Sequence, residues 1–268
     1  MMPLDLVLVR HGQSEANLAK RRSEAGDHTA FTEAFKDRHS SSFRLTKLGR
    51  EQAVYVGGWI KENLRNFDRY ITSEYTRAME TAALMKLPRA SWYRDVYLTE
   101  RNWGDLDVCP ENEREEKFGE ALRRRIVQPF FWKPPNGESF LELCMRVDRV
   151  LHTLHRECSD KKVLVVCHGE VMRAFQVRLE RMSQSRFKEL TFSTKSEDRI
   201  HNCQIMHYTR RDPESGNLAK YANWVRFVRP AETELPSNDW QKWRKIIRCS
   251  YSNEDLIKAV SSEPAMIT

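Results

Sequence analysis

The sequence predicts an α/β protein, a three-layer α/β/α sandwich with a mostly parallel central sheet. Strand-sized apolar runs alternate along the chain with segments of helical periodicity, which is typical of parallel strands covered on both faces. Two of these runs, at 6–9 and 163–167, are wholly apolar, as expected for strands in the middle of such a sheet. No apolar run approaches the roughly 20 residues that cross a bilayer, so no membrane partner is expected.

The spacing of apolar residues predicts the individual elements. Strands are expected at 4–9, 69–72, 92–98 and 163–167, with 203–208 and 221–228 as a closing pair. Helices are expected at 46–65, 75–86, 138–157 and 170–181. Thr46 suits the N-cap of the first helix. A weaker apolar stripe, formed by Trp240, Trp243 and Ile247, predicts a last helix that packs on the body.

We interpret residues 1–268 as one domain with two insertions and an extension. The insertion at 18–43 is polar, with Phe31, Phe35 and Phe43 as its aromatic anchors. The insertion at 102–137 contains a charged helix at 111–126 and an aromatic-proline run at 129–135. Both are expected to form a lid over the functional edge of the sheet. The role of the extension, 229–268, stays open, and both packing on the body and contacts in a homodimer would suit it.

Charge and cysteine content narrow the function classes. The net charge is +7, which favours anionic partners, and residues 20–50 carry eight Lys or Arg against four acids. No nucleic-acid reader motif is present, so a small anion is the expected partner rather than a nucleic acid. The six cysteines form no CxxC pair, which favours reduced thiols and no zinc site. The first residues have no signal-peptide pattern, and a cytoplasmic location is expected.

Two buried strands are followed by the same dipeptide. The run at 6–9 leads into Arg10, His11 and Gly12, and the run at 163–167 leads into His168 and Gly169. Ligand sites in open α/β sheets lie beyond the carboxyl ends of the strands, and glycine there lets the backbone approach a ligand closely. A helix is expected after each glycine, so that backbone N–H groups face an anion.

Two further strand ends add charged side chains to this edge. Arg77 lies about one turn into the helix after 69–72, and Glu100 follows the strand expected at 92–98. This set suits metal-independent phosphoryl transfer, with His11 as the nucleophile, arginine forks on the phosphate oxygens and Glu100 as the proton donor. Two histidines and a glutamate also suit a zinc site, but two adjacent arginines disfavour a cation. No metal and no cofactor are therefore expected.

The residues that carry this chemistry also resemble those of a known family. The segments at 10–17, 45–53, 73–82, 98–107 and 165–174 are similar, in order, to motifs of the histidine phosphatase superfamily, also called phosphoglycerate mutase-like. The resemblance implies that His11 is phosphorylated, that Arg10, Arg77 and His168 complete the phosphate pocket, and that Glu100 donates the proton. It also adds Asn17 to the substrate-binding set. Gln13 and Ser14 lie in the same loop and are expected either to bind substrate or to pack the turn. Gly12, Gly169 and Arg101 complete the expected binding set.

Within the superfamily, the sequence resembles the phosphatases more closely than the mutases. Ala16 replaces a tryptophan of the cofactor-dependent mutases, and the F-T-G-W block that follows it there is absent. The Pro135–Ser139 segment, PNGES, resembles a helix start of broad-specificity phosphatases. A phosphatase acting on a small phosphorylated metabolite is therefore expected, with mutase-type phosphoryl transfer as the alternative. An inactive binding or regulatory protein on the same fold is the second alternative.

Overall fold

The protein is described by a computed structural model over residues 1–230 and 241–260. Its strands form one seven-stranded sheet in the order β3-β2-β4-β1-β5-β6-β7. They are β1 (Asp5–Arg10), β2 (Arg69–Ser73), β3 (Trp92–Asp95), β4 (Lys162–Cys167), β5 (Ile205–Thr209), β6 (Trp224–Val228) and β7 (Arg244–Lys245). The first four strands pair in parallel, and β5, β6 and β7 each pair antiparallel with the preceding strand in the sheet.

Helices cover both faces of the sheet. They are α1 (Glu15–Glu24), α2 (Glu33–Lys36), α3 (Lys47–Asn63), α4 (Thr76–Leu84), α5 (Glu111–Val127), α6 (Phe140–Glu157), α7 (Gly169–Glu180), α8 (Gln184–Phe192) and α9 (Asn253–Val260). One apolar cluster joins α6 and α7 to one face of the sheet, and a second joins α3 and α4 to the other face. The predicted three-layer α/β/α sandwich is thus confirmed.

Alternation along the central strands explains the two clusters. Leu6 and Leu8 of β1 belong to the α6/α7 cluster, whereas Val7 and Val9 belong to the α3/α4 cluster. Because successive side chains of a strand point to opposite faces, a strand covered on both sides is apolar throughout. All four residues are buried, with exposed fractions of 3% or less. β1 and β4 therefore lie in the middle of the core, and their carboxyl ends are fixed in position.

Two predicted elements differ from the structure. The strand expected at 92–98 ends at Asp95, and Val96–Leu98 form a 3-10 turn in which the Asp95 side chain accepts a hydrogen bond from the Tyr97 amide. The prediction of a helix from Trp240, Trp243 and Ile247 is also wrong within the described residues. Arg244–Lys245 form an edge strand there, and Ile247 is 81% exposed. Trp240 lies outside the described residues. Residues 244–245 pair with β6 as a strand, whereas the apolar spacing predicted a helical turn there.

The segment at 18–43 packs as its aromatic residues predict. The Phe35 ring lies 5.2 Å from that of Phe31 and 4.7 Å from that of Phe43, and Phe43 is fully buried. This segment contacts the other insertion where the backbone N–H of Glu111 donates to Ser23 Oγ at 2.8 Å. Segments 18–43 and 102–137 are therefore bonded to each other.

The six cysteines are free thiols, of which only Cys249 is exposed. No helix in residues 1–230 and 241–260 has the length and apolar character to cross a membrane.

Candidate active site

His11 occupies a defined tautomeric state just beyond the end of β1. Its Nδ1 lies 2.7 Å from the carbonyl oxygen of Gly12, which only accepts hydrogen bonds, so Nδ1 carries the proton. Nε2 in turn accepts a hydrogen bond from Arg77 Nε at 3.2 Å. Burial, and then the charges of Arg77 and Arg10, lower the pKa of His11 well below its usual value near 6.5. The imidazole is therefore neutral, with a nucleophilic lone pair on Nε2.

Two arginines flank this imidazole. Arg77 is the second residue of α4, is buried, and donates from Nη1 to the carbonyl oxygen of Ser40 at 2.5 Å. Arg10 ends β1 and donates from Nη1 to the carbonyl oxygen of Ile200 at 2.5 Å. The Arg10 Nε is buried and has no hydrogen-bond partner among the described residues. Two guanidinium groups with donors to spare thus lie beside a neutral nucleophile, a combination suited to an anion.

The second histidine lies close to the first. The ring centroids of His168 and His11 are 5.0 Å apart in an edge-to-face arrangement. His168 Nε2 lies 2.8 Å from Ser73 Oγ, at the end of β2, while Nδ1 is buried without a partner among the described residues. Burial, and then the charge of Arg77, lower the pKa of His168 well below its usual value. The parallel strands β1, β2 and β4 thus deliver both imidazoles to one edge, as the sequence predicts.

The loop after β1 crosses helix α3 at very short range. A Cβ on Gly12 would lie 2.3 Å from the carbonyl oxygen of Gly49, and a Cβ on Gly49 would lie 2.0 Å from that of Gln13. The backbone N–H of Gly12 donates to Thr81 Oγ1 at 3.0 Å. Glycine at both crossing points therefore allows the loop to sit against α3, and the crossing fixes the backbone on which His11 stands.

The next residues of the loop are held by local bonds. Gln13 receives a hydrogen bond on Oε1 from the Thr46 hydroxyl at 2.9 Å, and Ser14 caps α1. The Asn17 side chain closes that capping box, and its Oδ1 also accepts from Asn202 Nδ2 at 3.1 Å. Asn202 Nδ2 donates as well to the carbonyl oxygen of His11 at 3.0 Å. The predicted binding residues of this loop are thus placed around the His11 backbone, and their substrate contacts stay predictions.

Glu100 lies on the loop that follows the 3-10 turn. Its Oε1 accepts from the backbone N–H of Arg101 at 2.9 Å. Burial, and then the charge of Glu170, raise its pKa to about 7, against the lowering effect of Arg77 and Arg10. A cavity of about 530 Å³, called here the Glu100 cavity, is lined by Glu100 together with Tyr75, Thr99 and Arg146 among others. Glu100 can therefore carry a proton near neutral pH beside an open space.

Arg101 supports this loop with most of its donors. Its Nε donates to the carbonyl oxygen of Glu138 at 2.9 Å, its Nη2 donates to that of Trp132 at 3.1 Å, and its Nη1 lies 3.5 Å from Glu170 Oε2. The predicted substrate contact of Arg101 stays a prediction. Arg146 anchors the same loop through the carbonyl oxygens of Tyr97 and Thr99, at 2.6 and 3.1 Å.

Both insertions reach the site. The Ser40 carbonyl oxygen accepts a hydrogen bond from Arg77, and Ser40 also lies beside Asp107 of segment 102–137. Burial is the main cause that raises the pKa of Asp107. The indole of Trp103 lies under Lys20 from one insertion and Arg125 from the other, with 5.9 and 5.1 Å from cation to ring centroid.

Several supporting residues escaped sequence reasoning. Ser73 and Thr81 carried a signal, since Ser73 directly follows the strand predicted at 69–72 and Thr81 lies one helical turn after Arg77. Ser40, Arg146 and Asn202 had none, because each reaches the site from a distant part of the chain. The three predicted groups around the nucleophile, Arg10, Arg77 and His168, are brought together, and Glu100 lies on the adjoining cavity.

Comparison with known proteins gives the same family on two grounds. The model of the histidine phosphatase superfamily (branch 1) matches residues 6–204. The chain is 33% identical to the 2,3-bisphosphoglycerate-dependent phosphoglycerate mutase of Methylorubrum populi over 195 residues, covering 70% of this chain and 85% of that protein. The mutase of the same name from Bartonella henselae is 34% identical over 185 residues, covering 67% and 82%.

Solved structures with the same fold carry phosphatase names. The alpha-ribazole phosphatase of Shigella flexneri superposes with a TM-score of 0.59 at 21% identity, covering 81% of this chain and 96% of that one. A mycobacterial glucosyl-3-phosphoglycerate phosphatase superposes with a TM-score of 0.59 at 20% identity, covering 76% and 88%. At these identities the likeness concerns the fold. The family match over 6–204 encloses His11, Arg77, Glu100 and His168, and this chain belongs to the histidine phosphatase superfamily, branch 1.

Proposed function

We propose that the protein is a metal-independent phosphatase that hydrolyses small phosphomonoesters through a phosphohistidine on His11. The observation that carries the proposal is the neutral His11, whose Nε2 lone pair faces Arg77 while Nδ1 is held by Gly12. A neutral imidazole fixed in this tautomer is a nucleophile ready for phosphorus. Arginine and imidazole donors supply the charge stabilisation that phosphoryl transfer needs.

The reaction has two steps. In the first, His11 Nε2 forms a bond to phosphorus, the bond to the leaving oxygen breaks, and Glu100 gives its proton to that oxygen. In the second, water attacks phosphorus, the nitrogen–phosphorus bond breaks, and the Glu100 carboxylate accepts a proton from the water. Glu100, with its pKa of about 7, holds both forms near neutral pH, which suits an acid that later serves as a base.

We assign phosphate-oxygen binding to Arg10, Arg77 and His168. If the Ser73 hydroxyl donates to His168 Nε2, the buried Nδ1 carries a proton and is available to the phosphoryl group. Asn17, Gln13, Ser14, Gly12 and Gly169 are assigned to the surrounding binding loop, and Arg101 to its support. His11 and His168 are 1% and 0% exposed, so we infer that the Ser40 segment moves aside when a substrate enters.

The proposed substrates carry a second anionic or polar group beside the phosphate. Lys20 and Arg125 lie over Trp103, three residues after Glu100, and thus bring positive charge from both insertions to the leaving-group side. Segments 18–43 and 102–137 then act as the lid. We place the whole chain, 1–268, in one functional domain, with 229–268 as an extension.

Hydrolysis of para-nitrophenyl phosphate in EDTA tests the proposal. We expect turnover that EDTA leaves unchanged and that His11→Ala abolishes. The quenched wild-type protein is expected to carry acid-labile, alkali-stable phosphate, and the His11→Ala variant is expected to carry none. Arg94→Ala is the matched control, because Arg94 is exposed on β3, the edge strand that β2 and β4 separate from β1. Wild-type turnover in His11→Ala would contradict the assignment.

The names of the sequence relatives favour a second candidate, a phosphoglycerate mutase. The two activities separate in one assay. With 3-phosphoglycerate as substrate, we expect inorganic phosphate as the main product, both with and without 2,3-bisphosphoglycerate. Formation of 2-phosphoglycerate that depends on 2,3-bisphosphoglycerate and outpaces phosphate release would favour the mutase. An inactive binding protein is disfavoured by the intact nucleophile, arginines and acid.

A further inference from the structure

A second cavity lies away from the Glu100 cavity, on the α7/α8 side of the antiparallel strands. Its volume is about 570 Å³, within the size range of sites for small molecules. Helices α7 and α8, segment 197–204, strands β5 and β6, and residues 244–251 contribute its walls. The last of these lie beyond residue 204, where the family match ends. The second cavity is therefore built partly by the C-terminal extension.

Positive charge dominates the lining of the second cavity. Five arginines face three carboxylates there: Arg173, Arg181, Arg186, Arg199 and Arg244 against Glu180, Glu197 and Asp198. Arg244 pairs with Glu180 at 2.8 Å, and Arg186 lies 4.0 Å from Asp198. The guanidinium groups of Arg181 and Arg199 have no hydrogen bond or ion pair within residues 1–230 and 241–260. Two cationic groups are thus available to a ligand, and within the same described residues Glu197 is the one lining carboxylate without an ion pair or hydrogen bond.

Much of the rest of the lining is apolar, although Gln176, Ser183 and Gln204 also contribute to it. Met182, Leu190, Met206 and Phe227 contribute to the inner surface, and Tyr251 adds an aromatic ring from the extension. Leu190 and Met206 are buried. A ligand that satisfies both parts carries an anionic group and an apolar or aromatic body, and it is small enough for this volume.

Two residues in the wall of the second cavity also accept hydrogen bonds from Arg10. Ile200 lines the cavity, and its carbonyl oxygen accepts from Arg10 Nη1 at 2.5 Å. Gln204 lines it as well, and its carbonyl oxygen accepts from the backbone N–H of Arg10 at 3.0 Å. Arg173 joins this wall to α7, the helix that starts at Gly169, since its Nη1 bonds to Gln176 at 2.6 Å and its Nη2 bonds to the carbonyl oxygen of Asp198. A displacement of segment 197–204 would therefore reach Arg10.

We propose that the second cavity is a binding site for a small anion with an apolar body, and that its occupant acts on the phosphate site through Ile200 and Arg10. Arg181 and Arg199 bind the anionic group, and the methionine, leucine and aromatic side chains contact the body. Neither binding residue belongs to the proposed catalytic set, so the site is separate from the chemistry.

Cys249 provides a local readout of binding. It lines the second cavity and is the one exposed cysteine of the chain. The probe is 8-anilinonaphthalene-1-sulfonate, an aromatic anion, added while inorganic phosphate occupies the catalytic pocket. At a probe concentration ten times its Kd, we expect carbamidomethylation of Cys249 by iodoacetamide to slow about tenfold, as mass action requires for a shielded thiol. An unchanged labelling rate would overturn the proposal.

Charge reversal tests the assigned residues. We expect Arg181→Glu with Arg199→Glu to weaken the probe by about tenfold or more, since each charge-assisted contact is strong. The matched control is Arg89→Glu with Arg94→Glu, both exposed, because Arg89 has the same left-handed backbone as Arg181, with φ of 57° and 52°. We expect the control to bind as the wild type does. Equal weakening in both pairs would mean surface adsorption and would reject the site.

The link to Arg10 is tested by a binding constant, so failure of the proposed phosphatase activity does not affect it. Calorimetric titration of inorganic phosphate is carried out with and without saturating probe. We expect the Kd of phosphate to change by about fivefold or more, and phosphate to change the Kd of the probe by the same factor, because coupling is reciprocal. A phosphate Kd that the bound probe leaves unchanged would refute the link.

Discussion

The Nε atom of Arg77 donates a hydrogen bond to the Nε2 atom of His11 across 3.2 Å, so a guanidinium and the proposed nucleophilic nitrogen share one axis. Burial, and then the charge of this guanidinium, lower the pKa of His11. Arg77 thus helps to keep the proposed nucleophile neutral before a substrate binds, and it lies next to the position that the phosphoryl group would take.

Arg77→Lys is expected to lower kcat/KM by about 10²–10³-fold, the loss found when one donor to a developing charge is removed. Lysine keeps the positive charge but loses the planar fork of donors. Steady-state kinetics on para-nitrophenyl phosphate measure the effect, with Arg94→Lys as the control. A loss of less than about threefold would argue against a direct role for Arg77.

Glu100→Gln is expected to separate substrates by leaving group. Alkyl phosphates need a proton on the departing oxygen and are expected to lose about 10²–10⁴-fold in kcat, whereas para-nitrophenyl phosphate needs less help and loses much less. Kinetics on a series of phosphomonoesters measure the slope of rate against leaving-group pKa. Equal losses across the series would exclude Glu100 as the acid.

The pH profile follows from the directions of two pKa shifts. Glu100, with its pKa raised to about 7, is protonated below that pH, so kcat/KM for alkyl phosphates is expected to fall as the pH rises through 7. The lowered pKa of His11 keeps its nitrogen neutral well below pH 6.5, so the acid limb lies below that value. Profiles of wild type and Glu100→Gln give the test, and a basic limb retained in the variant would contradict it.

The close crossing of Gly12 and Gly49 predicts that alanine substitutions at two glycines of α3 have opposite effects on stability. Gly49→Ala places a methyl group 2.0 Å from the Gln13 carbonyl and is expected to cost about 1–3 kcal/mol of unfolding free energy, with loss of activity. Gly58→Ala meets no atom within 4 Å and is expected to add about 0.5–1 kcal/mol. Urea unfolding compares them, and similar stabilities would refute the crossing.

The lid is tested at Lys20 and Arg125, because both cations lie over the ring of Trp103, three residues after Glu100. Lys20→Ala with Arg125→Ala is expected to raise KM about fivefold for doubly anionic phosphomonoesters, since charges at a half-exposed site contribute about 1 kcal/mol. A simple alkyl phosphate is the control substrate. Equal KM changes on both substrates would remove the proposed preference.

The residues around His11 were predictable because local sequence fixes their positions. Arg10, His11 and His168 follow apolar runs directly, and parallel strands place such ends together. Glu100 was assigned correctly to this edge for a partly wrong reason. Its strand ends at Asp95, and Arg146, which is remote in the sequence, holds the connecting loop through Tyr97. The spacing of apolar residues along the chain does not predict such long-range contacts.

The end of the chain shows the same limit. Trp243 belongs to an apolar stripe, yet its ring packs 4.8 Å from that of His207, beside a two-residue edge strand. The pairing of Trp224 with Lys245 that creates this strand depends on the place of β6 in the sheet. Tertiary pairing overrides a weak helical period in such short segments.

The bond between the Ser40 carbonyl and Arg77 has an evolutionary consequence. Segment 18–43 occupies a donor of the guanidinium that the proposed chemistry uses, so selection on substrate choice and selection on turnover act on the same peptide group. A lineage that exchanged residues 18–43 for another sequence would change its turnover together with its substrate range, even if every proposed catalytic side chain were preserved.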